Sequence, residues 1–523
     1  MTVRRRARGR AALAAVAVAV LATVVPAGPG ASPAGAVVDP PLATVPDGTV
    51  TGTDGRVYMA DAQGRALQFR GFNSGKEMTA LVAEVTPALM DTAADSGFDL
   101  LRLSWQWHKL EPTDDGWDEA YLDQVVAALD VAGERGISVV LDNHQDVFGP
   151  AFGGNGVPEW ATRDDGQPFT ANPGDPWFIA TLQPAVQAAW EHLYEDADLR
   201  QEQIESLLHV VERVVGHPAL LGYDLLNEPF GKIRPGEDLI SAAARVEPTQ
   251  LTAMYQRLAD AIRTVDTESW VFVHPPNLAT LGVRTALGRI DDPKLAYFPH
   301  FYDLGLESGE PFDPASGFHA TWEGVIGHYP DTYGVPTLVG EWGLPDPAIG
   351  GAGTFIDRSL AVMERIGSGW TVFSWCAGAG YCVLDDSGQL DPAWARIVQA
   401  WPRAIAGAPT ASRWDGAARS LHVTYRVRAG ATGPTEIVVP PSLYPGGFVV
   451  ETSAADGTWR SSWDEVTGRL EVTVPTGGLA DQAVCVSPTG IAGGCTAEVA
   501  APPPGPPPAP PADAVRAPAR FTG

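Results

Sequence analysis

Leu220-Leu221-Gly222-Tyr223-Asp224-Leu225-Leu226-Asn227-Glu228-Pro229 reads as an apolar strand that runs straight into an acid, after which Pro229 stops regular structure. Pro336-Thr337-Leu338-Val339-Gly340-Glu341-Trp342-Gly343 has the same form. Six further short apolar runs share this character: Leu67–Phe72, Leu100–Ser104, Ser138–Asp142, Trp270–His274, Leu295–His300 and Trp370–Trp375. Amphipathic stretches lie between them. In one, Tyr121, Leu122, Val125, Val126 and Leu129 recur at helical spacing and the pattern closes at Gly133 to Gly136. Eight alternating units predict an α/β fold, a (β/α)8 TIM barrel, with its active site at the C-terminal ends of the strands.

Outward from the barrel the composition changes. After residue 403 the runs Ser420–Val427, Thr435–Val439, Phe448–Thr452, Thr458–Trp463 and Leu470–Val474 alternate in period two between turn residues, which predicts a small C-terminal all-β sandwich. The expected division is 1–36 a signal peptide, 37–403 the catalytic barrel, 404–498 the sandwich and 499–523 a disordered Pro-rich tail. The signal reading rests on Arg4-Arg5-Arg6-Ala7-Arg8-Gly9-Arg10, the apolar run Ala11 to Val25, and the small residues Ala34-Gly35-Ala36, after which cleavage is expected. No later stretch approaches the roughly 18 apolar residues of a spanning helix. The mature protein is therefore expected to be secreted, soluble and without a transmembrane anchor, and is read as a monomer. Losing residues 1–36 with their five arginines takes the net charge from −28 to −33, which argues against nucleic acid or an anionic membrane surface as partner.

A pair of carboxylates at the ends of neighbouring strands is what glycosidic cleavage requires, one to protonate the leaving oxygen and one to attack or screen the sugar cation. A single glutamate after a strand is most often only solvated. The second acid, Glu341, is what makes Glu228 a candidate acid/base, with Glu341 as nucleophile. Asn227 can bond the sugar 2-hydroxyl. Arg102, in Leu101-Arg102-Leu103-Ser104, would be a costly buried charge unless paired, and pairing with Glu341 would keep that carboxylate ionised. His144 and Asp146 close the third run, and His300 and Tyr302 follow the sixth, where they can position hydroxyls or the glutamates. Trp375 is a candidate for stacking on a sugar face, against the alternative of a core tryptophan. No HExxH, GxGxxG or phosphate-loop motif stands up, so no cofactor and no metal are expected. Cys376 with Cys382 and Cys485 with Cys495 are close pairs, more readily disulfides in an exported chain than zinc ligands; buried thiols are the alternative.

These residues resemble glycoside hydrolase family 5, whose pattern places Arg on strand two, His on strand three, Asn-Glu on strand four, His and Tyr on strand six, Glu on strand seven and Trp on strand eight. Asp142-Asn143-His144-Gln145-Asp146-Val147-Phe148, Gly153-Gly154-Asn155-Gly156-Val157-Pro158-Glu159-Trp160, Tyr223-Asp224-Leu225-Leu226-Asn227-Glu228-Pro229-Phe230-Gly231 and Trp401-Pro402-Arg403-Ala404-Ile405-Ala406-Gly407 narrow the likeness to endoglycoceramidases, which release the whole oligosaccharide from ceramide. The resemblance implies Glu228 as acid/base and Glu341 as nucleophile, and that Lys76 and Asp146 contact the first sugar. Asn143, where an apolar residue is expected, departs from the pattern.

The expected function is thus a retaining endo-β-glycosidase on glycosphingolipids in membranes or micelles. The alternatives are a family 5 β-glucanase or glucosylceramidase, or a noncatalytic glycan-binding barrel. A glycolipid enzyme needs an apolar surface beside its sugar cleft, and the loops Phe148–Thr181 and Ile233–Pro248, with Trp160, Trp177, Phe178 and Leu239, are the candidates for it.

Overall fold

The computed structural model describes residues 24–25, 46–75, 85–170, 177–378, 380–475, 481–490 and 495, with side chains from residue 46 on except those of Trp177 and Phe178. The expected signal segment, apart from the two-residue strand Val24–Val25 (β1), lies outside them, as do Lys76 and the Pro-rich tail.

Three short strands come first: Gly48–Thr51 (β2), Val57–Ala60 (β3) and Ala66–Leu67 (β4). Nine parallel strands follow: Phe69–Asn73 (β5), Leu100–Trp105 (β6), Ser138–Asn143 (β7), Leu220–Asp224 (β8), Trp270–Val273 (β9), Leu295–Tyr297 (β10), His300–Phe301 (β11), Leu338–Trp342 (β12) and Gly369–Val372 (β13). Their order is β10-β9-β8-β7-β6-β5-β13-β12-β11. The two ends of that order are halves of one strand. β10 and β11 are separated only by Phe298-Pro299, and a parallel bridge from Tyr297 to Thr337 joins β10 to the approach of β12. The sheet therefore closes on itself as an eight-stranded barrel. The sequence reading took Leu295–His300 as one unbroken strand. The break falls where Pro299 has no N–H to give; its carbonyl accepts from Gly340 N at 2.9 Å.

Every residue of β6 and β7 is buried, as parallel strands covered on both faces must be. Alternation still sorts them. Leu101, Leu103 and Trp105 pack outward among the helices, while Leu100, Arg102 and Ser104 take the opposite face toward the barrel axis. The lower interior is filled by Phe69, Leu100, Val140, Leu221, Phe272 and Leu338, and Met59, Leu67 and Ala404 plug its base. Apolar below and polar above, the barrel interior carries Arg102, Asp142, Asp224 and Glu341 at its C-terminal mouth.

The β domain adds Trp401–Ile405 (β14), Ala408–Asp415 (β15), Ser420–Arg426 (β16), Thr435–Val438 (β17), Phe448–Thr452 (β18), Arg460–Asp464 (β19), Arg469–Thr473 (β20) and Asp481–Pro488 (β21). One antiparallel sheet runs β1-β18-β21-β16-β15 and the other β19-β20-β17-β14-β4-β3-β2. Residues 48–67, which the sequence reading placed with the barrel, thus complete a sandwich sheet, and the first barrel strand begins at Phe69 instead of Leu67. Arg403 ties the two parts, its guanidinium donating to Asp99 at 3.0 Å and to Glu436 at 3.1 Å. Cys376 is bonded to Cys382, and Cys485 to Cys495. No helix among the described residues is long and apolar enough to cross a membrane.

Candidate active site

Arg102 stands at the centre of the mouth. Its guanidinium donates to Glu341 Oε1 (2.5 Å), to Asp224 Oδ2 from both Nε (3.0 Å) and NH2 (2.7 Å), to Asn227 Oδ1 (2.9 Å) and to Asn73 Oδ1 (3.1 Å), and lies 2.9 Å from Asp142 Oδ1. Burial alone would make this arginine easier to deprotonate. The charges of Asp142, Asp224 and Glu341 outweigh it and hold the guanidinium above its ordinary value. The same burial pushes the Asp224 carboxyl up, against the pull of Arg102 and with the push of Asp142. Asp142 goes the other way: Arg102 and the His144 imidazole overcome burial and lower it.

Glu341 is the penultimate residue of β12, and both of its oxygens are engaged. Arg102 holds Oε1, and the Tyr302 hydroxyl donates to Oε2 at 2.8 Å. Burial and the facing Glu341 keep the Tyr302 phenol well above its ordinary value, so it remains a donor. Glu228 follows β8 at φ +35°, a left-handed conformation that a non-glycine residue adopts only under constraint. The constraint is visible. Gln145 Nε2 donates to the Asn227 and Glu228 carbonyls at 2.8 and 2.9 Å, and the Glu228 N–H donates to His274 Nε2 at 3.2 Å. His300 Nδ1 donates to Glu228 Oε1 at 2.7 Å and lies 3.6 Å from Glu341 Oε2. Carboxylate oxygens of Glu228 and Glu341 approach within 4.8 Å of each other. That spacing with His300 would also suit a cation, but the Arg102 guanidinium already occupies the charge-neutralising place beside Glu341.

His274 escaped the sequence reading, although it follows β9 as the acids follow theirs. Burial, then the neighbouring His300 and Arg102, hold its imidazole well below the ordinary value, so it is neutral. Nδ1 faces the Pro275 carbonyl at 3.2 Å and Nε2 accepts from Glu228, with the ring stacked on His300 at 4.4 Å. His144 is the opposite case. Its Nδ1 meets Asp142 at 2.6 Å and its Nε2 lies 3.6 Å from Asp146, and these acids overcome burial to raise the imidazole to about 10. A raised histidine stabilises the fold fully below its unfolded value of about 6.5, and that contribution is lost as pH climbs through the folded value. The melting temperatures of wild type and His144→Gln are therefore expected to differ most near pH 6 and to converge by about pH 10. A gap unchanged across that range in paired thermal melts would refute the assignment.

Asp146 reaches the cleft because its loop folds back. Asp146 and Asn155 exchange backbone hydrogen bonds at 3.0 and 3.1 Å, pairing the His-Gln-Asp stretch with Gly153-Gly154-Asn155-Gly156. A Cβ on Gly154 would lie 1.8 Å from the Asp146 carbonyl oxygen, and Gly156 has φ +119°, so both places require glycine. Asn143, the departure noted in the sequence, donates to the Leu225 carbonyl at 3.3 Å and extends the join between β7 and the loop after β8.

The expected stacking role of Trp375 does not survive. β13 ends at Val372, and by Trp375 the chain has left the mouth. The ring is wholly buried 4.7 Å from Phe72 and 5.6 Å from Phe98, and Nε1 donates to the Leu89 carbonyl at 3.2 Å. The aromatic ring this segment gives to the mouth is Phe373. Trp375→Ala is expected to cost about 3–5 kcal/mol of stability, read in denaturant melts. A stable Trp375→Ala enzyme defective only in substrate binding would restore the stacking role.

The cleft encloses a cavity of about 280 Å³. His144, Asp146, Asn227, Glu228, Asn277, Tyr302, Glu307, Glu341 and Tyr381 give it polar walls; Val147, Leu182, Trp190, Phe230, Leu239, Leu278, Leu281, Leu304 and Phe373 give it apolar ones. Tyr381 is carried in by the loop that the Cys376–Cys382 disulfide closes. Asp238 and Asp303 cap the helices Leu239–Val246 and Leu304–Glu307, fixing where Leu239, Leu304 and Glu307 stand. Of the cleft residues, Leu182, Leu281 and Leu304 are 37–50% exposed, three of the six large apolar residues so exposed among the described residues. Of the apolar loop residues expected, Leu239 lines the cleft. Trp160 instead packs on Trp107 and bonds the Glu111 carbonyl, and the side chains of Trp177 and Phe178 lie outside the description.

The family profile described as Cellulase (glycosyl hydrolase family 5) matches residues 60–379, and that of the glycoside hydrolase family 5 C-terminal domain matches residues 400–481. The chain belongs to glycoside hydrolase family 5. It is a glycosidase by that membership. Endoglycoceramidase I of Rhodococcus hoagii (strain 103S) is 30% identical over 462 residues, covering 83% of this chain and 88% of the relative. The structure of endo-glycoceramidase II from Rhodococcus sp. in complex with ganglioside GM3 superposes with TM-score 0.73 at 30% identity, over 83% of this chain and 99% of that one. The crystal structure of an endogalactoceramidase gives TM-score 0.60 at 25% identity, over 86% and 100% of the two chains.

Proposed function

We propose that the protein is a secreted, retaining endoglycoceramidase. The observation that carries the proposal is the pairing of two carboxylates within 4.8 Å of each other with an exposed apolar rim around the same cleft. The separation suits the roughly 5–5.5 Å at which the second acid attacks directly, and leaves no room for a water between acid and sugar. The rim offers an alkyl-chain aglycone a surface that a glucan would not use.

In the first step a Glu341 oxygen attacks C1 of the sugar joined to ceramide. The C1–O bond breaks, and Glu228 gives its proton to the departing ceramide oxygen. In the second step Glu228 takes a proton from water, whose oxygen attacks C1 and displaces Glu341. Arg102 and Tyr302 hold Glu341 in line, His300 and the backbone clamp from Gln145 and His274 hold Glu228, and Asn227 faces the 2-hydroxyl. Asp146, and Lys76 beyond the described residues, are assigned to the first sugar, and Phe373 lines the same cleft as Asp146. Secretion rests on the basic, apolar and small-residue pattern of residues 1–36. N-terminal sequencing of protein from the medium tests it, and a start before residue 37 would count against it.

The substrate is tested by comparing purified enzyme on lactosylceramide and on cello-oligosaccharides, with the anomer of the first-formed sugar read by NMR. Preference for the glycolipid with β-anomer released first is expected. Cleavage of cello-oligosaccharides alone would make the protein a β-glucanase, and an α-anomer would exclude double displacement.

A further inference from the structure

Glu228 has a second side-chain donor besides His300, and it comes from a loop that the sequence pattern left unassigned. Asn277 Nδ2 donates to Glu228 Oε1 at 3.2 Å, the same oxygen that His300 Nδ1 reaches at 2.7 Å. Among the described residues no donor reaches Oε2. The amide is held in that sense by Thr280, whose hydroxyl donates to Asn277 Oδ1 at 3.1 Å. With its oxygen satisfied by Thr280, the amide presents only N–H groups to the carboxylate, as an acceptor-only partner requires. The loop itself is stiff. Pro275-Pro276 lead into it, Leu278 N bonds the Pro276 carbonyl at 2.6 Å, and a 3-10 turn over Ala279–Leu281 closes at Gly282 in the left-handed conformation. Asn277 and Thr280 both line the cleft, beside the apolar Leu278 and Leu281.

We infer that Asn277, oriented by Thr280, is a positioning residue for proton donation by Glu228. Two donors converging on Oε1 leave Oε2 as the oxygen that carries the proton, and fix the carboxyl plane so that Oε2 faces the leaving oxygen. The inference rests on the assignment of Glu228 as the acid and adds to it which oxygen donates and what aims it. The same loop carries an apolar wall of the cleft, so the group that meets the lipid and the group that aims the acid share one rigid segment.

The test compares wild type, Asn277→Leu, Thr280→Val and Glu228→Gln on two substrates. Lactosylceramide has a leaving alkoxide that needs a proton. A dinitrophenyl β-lactoside has a leaving group that departs without one, and kcat/KM reads bond cleavage for both. Asn277→Leu, near in size and without donors, is expected to lose about 30-fold on the glycolipid and at least ten times less on the aryl lactoside. Thr280→Val is expected to show the same bias with a smaller loss. Equal losses on the two substrates, or none, in both variants would reduce the contact to a structural one and overturn the inference. Glu228→Gln separates the two levels. If it shows the bias and the loop variants do not, only the role of Asn277 fails; if it loses equally on both substrates, the acid assignment itself fails.

Discussion

Glu341→Gln is expected to lower turnover of glycolipid by roughly 10⁴-fold while leaving the melting curve close to that of wild type. The amide keeps the shape of the side chain and cannot attack C1. Its NH2 must also face either Arg102 or the Tyr302 hydroxyl, both of which are donors in the native site. Steady-state kinetics on lactosylceramide beside circular dichroism would decide the matter. Retention of more than a tenth of wild-type activity in a folded variant would remove Glu341 from the chemistry.

Arg102→Met has the second largest expected effect, and it falls on stability and rate together. The guanidinium is the shared partner of Asp142, Asp224 and Glu341, all buried. Removing it strands three carboxylates at the top of the barrel, where breaking even one buried pair costs about 3–5 kcal/mol. Turnover is expected to fall by at least ~10³-fold, because Glu341 loses the donor that sets its direction. Arg102→Lys is not expected to rescue it. A single ammonium has no planar fork to reach Asp224 through two nitrogens while also holding Glu341 and Asn227. Denaturation midpoints and kcat measured on both variants check this, and a Met variant as stable as wild type would contradict the charge accounting.

Much of this site is legible in the chain because each strand ends where its polarity changes. Arg102, Asn227, Glu228, His300, Tyr302 and Glu341 are all polar residues in or just after apolar runs, and the barrel brings them to one mouth for that reason. The same rule misled at Trp375. A large apolar residue after an apolar run carries no mark of where the strand stops, and a strand ending at Val372 turns the ring toward Phe72. Phe373, two residues earlier, is no different in local pattern. His274 was legible by position but not by chemistry, since its neutral state depends on its complete burial, and after that on the stacked His300 and on Arg102.

The β domain was read from its hairpins and missed where pairing is long-range. Ala404 lies opposite Leu67, and Trp401 opposite Val438. The sandwich sheet is therefore assembled from both ends of the barrel sequence, a relation that period-two alternation cannot express. The cleft rim shows the same limit. Leu182, Leu281 and Leu304 lie on three separate connections, each ordinary alone. Only their meeting around the carboxylate pair makes an apolar surface.

The most direct test is to incubate the enzyme with lactosylceramide in mild detergent and ¹⁸O-water, and to weigh both products by mass spectrometry. The account predicts intact lactose carrying one ¹⁸O at its anomeric carbon, together with unlabelled ceramide. Galactose released stepwise, label in the ceramide, or no ceramide at all would contradict it.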